Sequence, residues 1–348
     1  MKIHFDNIIY SLQRAGGIST YWTELISRLL RDEHDVSFTE LKHQNISRLA
    51  LAIPEDYLSV TKRKRVLLNR FKVLPLAKEQ DPFIFHSSYN RITRNPNARP
   101  VITIHDFVHE RFYSGLRRYL HLYQKNKAIL AAEKIIVVSE NTRQDLLHFH
   151  PYLKEEDITV IYNGVSAEFY PLATESEASS KPYLLFIGSR AYYKNFHFAI
   201  DLLKRLSDFD FCIVGSTLSD QETRLLNQKI PGRWKMFSHI DNQKLNEVYN
   251  AAYALIYPSS YEGFGIPLLE VMKTGTPFVA LNKSSIPEVA GKAGVLVDAL
   301  DLDAFEQAVL SIQGNESLLS ALGQEQASQF SWEKCYQETL EVYHKLES

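Results

Sequence analysis

Three features of the sequence predict an α/β protein built from two doubly wound, Rossmann-like units. Short apolar runs of strand length alternate with amphipathic helical patterns twice along the chain, and such alternation implies a parallel sheet covered on both faces. The alternation breaks once, at 166–181 (SAEFYPLATESEASSK), where apolar periodicity gives way to Ser, Glu, Ala and Pro, the composition of a linker. A length of 348 residues is long for one core and comfortable for two. The expected division is therefore 1–165, a linker at 166–181, 182–330, and a closing helical segment at 331–348.

In the first half, residues 2–5, 83–86, 101–105, 134–139 and 158–161 are short apolar runs that fit buried strands, and 18–31 and 116–132 carry helical periodicity between them. The second half restarts with strands at 183–187, 209–214, 234–237, 254–257 and 277–280. Phe196, Ala199, Ile200 and Leu203 mark the apolar stripe of a helix after the first of these. The last amphipathic run, 332–346, fits a terminal helix.

Composition narrows the function classes. A formal charge of -2 provides no general polyanion-binding signal, so nucleic acid is not an expected partner. Cys212 and Cys335 stand apart in apolar or helical contexts without metal-ligand spacing, as buried thiols in a reducing compartment do. The start MKIHFDNIIYS is too short and polar for a signal peptide, and no apolar run approaches the roughly 20 residues of a membrane span. A cytoplasmic protein is expected.

The segment YPSSYEGFGIPLLE at 257–270 concentrates the chemistry. Pro258 closes a strand, Gly263 and Gly265 around Phe264 let the backbone approach a ligand, and Ile266-Pro267 suits the first turn of a helix ending at Thr274-Gly275. Glu262 then lies in the loop and Glu270 about one turn into the helix. A helix start favours phosphate, whereas a carboxylate accepts hydrogen bonds from hydroxyls, so the pair suits a ligand that is part polyol and part anion. After the strand at 183–187, Gly188-Ser189-Arg190 and Lys194-Asn195 place two cations at a strand's carboxyl edge, where they suit an anionic group. Gly16-Gly17 stands between the first strand and a helix, a place for backbone amides to meet a phosphate or for a plain turn and cap. His105-Asp106 ends the strand VITIH. Ser139 and Thr142 in VVSENT, and Asn163 in YNGV, suit a helix cap and a turn, and remain weak cleft-lining candidates. No Ser-His-Asp set, metal triad or D-x-D stands beside these motifs, so no metal or other cofactor is expected.

The E-x7-E spacing from Glu262 to Glu270, inside YEGFGIPLLEVMKTGTPFVA, resembles the signature of the GT-B glycosyltransferases of family 4. The resemblance extends through GGIS, IHD, VVSENT, YNGV, FIGSRAYYKN, SSIPEVAG and SWEKCYQETLEVY. It implies a retaining transferase of mannosyltransferase type that moves a hexose from a nucleotide sugar, GDP-mannose or a UDP-sugar, in surface polysaccharide assembly. It further implies two units facing each other across a cleft, with the terminal helix returning to the first. Arg190 and Lys194 would stabilise the leaving diphosphate, Glu262 would orient sugar hydroxyls, and Glu270 would bind the ribose. Gly16, Gly17, Gly188, Gly263, Phe264, Gly265 and Ile266 would line the donor, and His105 would stand near the reacting carbon.

The acceptor is less defined. Residues 61–72 (TKRKRVLLNRFK) and RFYSGLRRYLHLYQKNK at 111–127 combine cations with apolar and aromatic residues, which suits either an ordinary solvated face or peripheral contact with an anionic membrane bearing a polyprenol-linked glycan. A sugar-nucleotide epimerase, a phosphorylase, or a non-catalytic nucleotide-sugar-binding protein remain the alternatives.

Overall fold

The computed structural model describes residues 2–61, 69–76, 80–173 and 181–347. It divides into two compact units, one comprising Met1–Asn163 with Trp332–Ser348 and the other Gly164–Ser331.

The first unit is built on a 7-stranded sheet. Its strands are β1 (Ile3–Asp6), β2 (Val36–Leu41), β3 (Leu58–Thr61), β4 (Phe83–Ser87), β5 (Ala98–Ile104), β6 (Lys134–Val137) and β7 (Ile158–Val160), in the order β3-β2-β1-β4-β5-β6-β7. Every pairing is parallel. β1 and β4 are buried at every position, as central strands covered on both faces must be. β2 and β3 lie outside the strands the sequence predicts, because VSFTEL and LSVT mix polar and apolar residues. In β2 the apparent polarity is absorbed by tertiary contacts. Glu40 pairs with the Arg48 guanidinium at 2.5 Å and accepts from Asn7 Nδ2 at 2.8 Å, while Thr39 Oγ1 meets His4 Nε2 at 2.9 Å.

The second unit holds a 6-stranded sheet. β8 (Tyr183–Ile187), β9 (Asp210–Gly215), β10 (Trp234–Ser238), β11 (Ala254–Tyr257), β12 (Phe278–Leu281) and β13 (Val295–Val297) run parallel in the order β10-β9-β8-β11-β12-β13. One continuous apolar core joins Phe186, Ile200, Phe211, Ile256, Val279 and Phe305. The described part of the 166–181 stretch packs on this unit: the Tyr170 and Leu172 amides donate to Asn246 Oδ1 at 3.1 Å and Asn250 Oδ1 at 2.7 Å. Residues 174–180 lie outside the described residues.

Both sheets reverse direction of strand addition beside their first strand, between β1 and β4 and between β8 and β11. The carboxyl ends of strands flanking such a switch point open a crevice for a ligand. The Gly188–Arg190 and 258–265 loops leave β8 and β11, so the second unit presents its two richest motifs at its own switch point.

The terminal helix Trp332–His344 belongs to the first unit. Glu333 pairs with Arg28 at 3.2 Å and Arg31 at 2.9 Å on the helix Gly17–Arg31, and Tyr336 donates to Asp32 at 2.8 Å. Deeper in, Tyr343 Oη lies 2.6 Å from His86 Nδ1, whose other ring nitrogen meets Thr103 Oγ1 at 3.0 Å. Cys212 and Cys335 are free and buried, and burial pushes both thiols up to about 12. No described helix is long and apolar enough to cross a membrane.

Candidate active site

In the second unit, Gly188 adopts φ 115°, a conformation suited to glycine, and its carbonyl would lie 2.5 Å from a Cβ placed at Gly215. Glycine at both positions therefore lets the ends of β8 and β9 meet. Arg190, directly beyond, is tied to this second loop. Its Nε donates to Glu222 at 2.5 Å, while Nη1 and Nη2 donate to the carbonyls of Ser216 and Thr217 at 2.9 and 2.8 Å. Burial pushes the Glu222 carboxyl up, but Arg190 and the Ser219 contacts outweigh it and hold it below its ordinary value.

Lys194 closes a short 3-10 turn (Tyr192–Lys194) and its ammonium pairs with Glu262. This contact joins the loops after β8 and β11, which are 68 residues apart in sequence. Asn195 completes the junction in the left-handed region, at φ 54°, a conformation Asn tolerates better than most side chains. Its Nδ2 donates to Pro258 O and Ser260 Oγ, both at 2.7 Å. The opposite wall is pinned by two serines. Ser284 Oγ donates to the Glu262 carbonyl at 2.6 Å, and Ser285 Oγ lies 3.0 Å from the carbonyls of Glu262 and Phe264. Phe264 is buried and stacks edge-on against Phe330. Gly263 thus sits in a backbone segment held on three sides. Gly265, at φ 100°, caps the helix Ile266–Thr274, where Pro267 occupies the first turn.

Glu270 lies on that helix. Tyr249 Oη donates to its Oε2 at 2.7 Å, and burial pushes the carboxyl up to about 7 even though this hydrogen bond pulls it down. The Tyr249 and Tyr257 hydroxyls, each buried beside a carboxylate, are held protonated.

In the first unit, Gly16 is the N-cap of the helix Gly17–Arg31, and Ser19 Oγ and Thr20 N both donate to its carbonyl. The first amides of such a helix lack intrahelical acceptors. His105 follows β5 with its ring edge-on to Tyr21 at 5.0 Å and its Nε2 shielded without a hydrogen-bond partner. Burial drives its imidazole down to about 4, with Asp106 opposing and Lys125 reinforcing the shift. Asp106 Oδ1 accepts from Val108 N at 3.0 Å. Ser139 accepts from the Thr142 amide at 3.0 Å as the cap of the helix Glu140–Phe149, the local role that residue pattern suits. Asn163 is buried, with Oδ1 unpartnered.

Within the second unit the fold thus brings together Lys194, Glu262, Gly263, Phe264, Gly265 and Ile266. Arg190 is directed toward Glu222 and Glu270 toward Tyr249. Glu222, Tyr249, Asn195, Ser284 and Ser285 are the participants that motif analysis passed over. The last three stood inside quoted motifs, and Asn after Lys194 and Ser-Ser before Ile-Pro were legible as turn and cap chemistry. Glu222 was legible only as the far end of the Ser219 capping box, and nothing local pointed to Tyr249. Among the described residues no cluster of three His, Cys, Asp or Glu side chains could hold a metal ion.

Comparison with known proteins agrees with this architecture. Residues 15–169 match the model of Glycosyltransferase Family 4, and residues 172–329 match that of Glycosyl transferases group 1. O-antigen chain mannosyltransferase B of Escherichia coli is 28% identical, over 99% of this chain and 100% of the relative. An uncharacterised glycosyltransferase of Methanocaldococcus jannaschii is 25% identical over 99% of both. Among solved structures, HepE of Anabaena with UDP and glucose superposes at TM-score 0.78 with 17% identity, covering 99% of each chain. WaaG, a glycosyltransferase involved in lipopolysaccharide biosynthesis, superposes at 0.72 with 13% identity over 98% of this chain and 99% of its own. With one family model on each unit and two switch-point sheets of parallel strands beneath them, the chain belongs to the GT-B glycosyltransferases of family 4, the glycosyl transferases of group 1.

Proposed function

We propose that this enzyme transfers mannose, with retention of anomeric configuration, from a nucleoside-diphosphate mannose such as GDP-mannose to a lipid-linked glycan in surface polysaccharide synthesis. The observation that carries the proposal is the junction at the second unit's switch point, where Lys194 and Glu262 pair beneath backbone held by Asn195, Ser284 and Ser285. Glu262 uses one of the three donors of the Lys194 ammonium. A diphosphate can recruit the others, and the fork of Arg190 stands at the neighbouring strand end. Tyr249 occupies Oε2 of Glu270, so Oε1 can accept from ribose hydroxyls. Mannose as the transferred sugar is supported by relatives named O-antigen chain mannosyltransferase, B in Escherichia coli and RfbU in Salmonella typhimurium.

On the donor's front face, the bond between the anomeric carbon and the diphosphate oxygen breaks while the acceptor hydroxyl oxygen bonds to that carbon. The hydroxyl proton passes to the departing phosphate oxygen. The protein supplies positioning and charge stabilisation. His105, neutral at physiological pH, would orient the acceptor hydroxyl. Arg190 and Lys194 would carry the diphosphate charge without a metal.

The helix Gly115–Ala131 favours a lipid-linked acceptor. Leu116, Tyr119, Tyr123 and Leu130 are 72%, 66%, 56% and 69% exposed, whereas His121, Gln124 and Lys125 are buried. An outward apolar stripe beside Arg118 and Lys127 suits an anionic bilayer surface. The basic run at 62–68 lies outside the described residues.

The test is a panel of nucleotide sugars, followed by thermal shift and product analysis in the presence of a chelator. GDP-mannose should stabilise the protein and be slowly hydrolysed to GDP and mannose. An isomeric donor as product would mean an epimerase, and binding without turnover a non-catalytic protein. Activity restored only by magnesium or manganese would overturn the metal-independent mechanism.

A further inference from the structure

Lys125 is a buried cation that the transfer chemistry above does not use. It sits on the inward face of the helix Gly115–Ala131, 2% exposed. Its ammonium donates to the Asp106 carbonyl at 2.7 Å, pairs with Glu110 at 2.9 Å between side chains each 3% exposed, and lies 3.4 Å from the centroid of the Phe107 ring. All three contacts fall on the turn and first helical residues that follow His105.

Burying an ammonium and a carboxylate costs more than filling the same volume with apolar side chains, so stability alone does not account for this pair. A leucine or methionine would pack here without desolvation. What an apolar side chain cannot do is hold the Asp106 carbonyl by a charge-assisted hydrogen bond.

We propose that Lys125 is a positioning residue for sugar transfer: anchored by Glu110, it fixes the backbone of the turn that carries His105. The proposal rests on the assignment of His105 to the reacting end of the site. The other groups facing His105 are Tyr21 on the helix Gly17–Arg31, His86 on β4 and Asp106 beside it. Tyr21 and His86 are uncharged at neutral pH, and Asp106 favours the protonated ring. Lys125 is therefore the facing group whose charge opposes protonation of the ring, with Asp106 acting more strongly the other way. Burial is the larger influence and acts in the same direction.

The test uses the full-length protein in two variants. Lys125→Met removes the cation, and Lys125→Met with Glu110→Gln removes the pair, so that no uncompensated carboxylate stays buried. The imidazole of His105 is titrated by NMR, and GDP-mannose hydrolysis is measured against pH. In both variants the His105 titration should move upward by about one pH unit, a roughly tenfold gain in proton affinity. The acid limb of kcat should move with it, while KM for GDP-mannose stays within about twofold, as expected when the donor contacts are untouched. Variants that are folded, with His105 titrating as in the wild type, would overturn the proposal whatever their activity. Full activity in His105→Ala would instead remove the catalytic assignment of His105, and the NMR titration reports on Lys125 independently of that outcome.

Discussion

At the scale of single residues, Glu270 has the most consequential titration. Its carboxyl ionises near about 7 in the folded protein, against 4.5 ordinarily, because burial outweighs the Tyr249 hydrogen bond. The sign follows from linkage. Below the ordinary value both folded and unfolded chains hold the proton and nothing is lost; between the two values the unfolded chain ionises first and stability falls; above about 7 the loss is complete. The cost reaches up to about 3 kcal/mol, and less where water reaches this partly exposed side chain. Ribose hydroxyls donating to Glu270 favour its ionised form. GDP binding should therefore release a proton at pH 6, and affinity should rise from pH 6 to about 7.5 and then level off. Calorimetry in buffers of different ionisation enthalpy measures that proton. Glu270→Gln should weaken GDP binding and erase the pH dependence, and a flat wild-type profile would show that Glu270 does not accept from the nucleotide. Arg190 makes a second residue-scale case. Arg190→Ala should lower turnover by a factor on the order of a hundred, whereas Glu222→Gln, which leaves the guanidinium in place, should cost far less. Equal losses in the two folded variants would mean that Arg190 acts by bracing the Ser216–Thr217 loop.

At the scale of elements, the helix Gly115–Ala131 buries His121, Gln124 and Lys125 beside Ala128 and Ile129 and exposes several large apolar side chains. Gln124 donates inward to the carbonyls of Arg70 and Tyr89 at 2.7 and 3.2 Å, and Tyr89 Oη lies 3.3 Å from His121 Nδ1. The polar face thus ties the Arg70 segment that precedes β4 to the loops after β4 and β5, while large apolar side chains point outward. If the outer face docks on a bilayer, vesicles containing anionic lipid should co-sediment the protein at low salt and release it as salt rises, each surface cation contributing on the order of 1 kcal/mol. Replacing Leu116, Tyr119 and Tyr123 by Ser should abolish co-sedimentation and slow transfer to a lipid-linked acceptor, with hydrolysis of GDP-mannose in solution nearly intact. Wild-type protein that stays in the supernatant at low salt would point to a soluble acceptor.

At the scale of the whole molecule, each unit has its own core, and the first incorporates the chain's last helix. His86 is buried with its imidazole driven down to about 3, so it is neutral, and Tyr343 and Thr103 occupy its two nitrogens. Tyr343→Phe leaves a buried ring nitrogen unpaired and should destabilise the first unit by about 1–3 kcal/mol. Calorimetry can locate the loss. GDP should raise the melting of the second unit by mass action, and Tyr343→Phe should lower only the transition that GDP leaves unmoved. A mutation that lowered the GDP-responsive transition alone would contradict the placement of this helix in the first unit's stability.

Local pattern was enough to determine the alternation of elements, the loops at the ends of β8 and β11, the glycine positions at 188 and 265, and the terminal helix, because each depends on residues within a turn or two of one another. Family resemblance then grouped Glu262, Glu270, Arg190 and Lys194 as candidates for one site. β2, β3 and β13 escaped because a strand's burial depends on which strands flank it, and parallel neighbours are distant in sequence. For the same reason only the tertiary structure decided the partners of the charged groups. Lys194 meets Glu262 across 68 residues, Arg190 meets Glu222 across 32, and Tyr249 meets Glu270 across 21. Lys125 reads as one more cation in a basic helix, and it acquires a role only when Asp106, Phe107 and Glu110 close around it. An ionisable side chain carries its type in the sequence, but its charge state and work depend on burial and on partners that folding alone supplies.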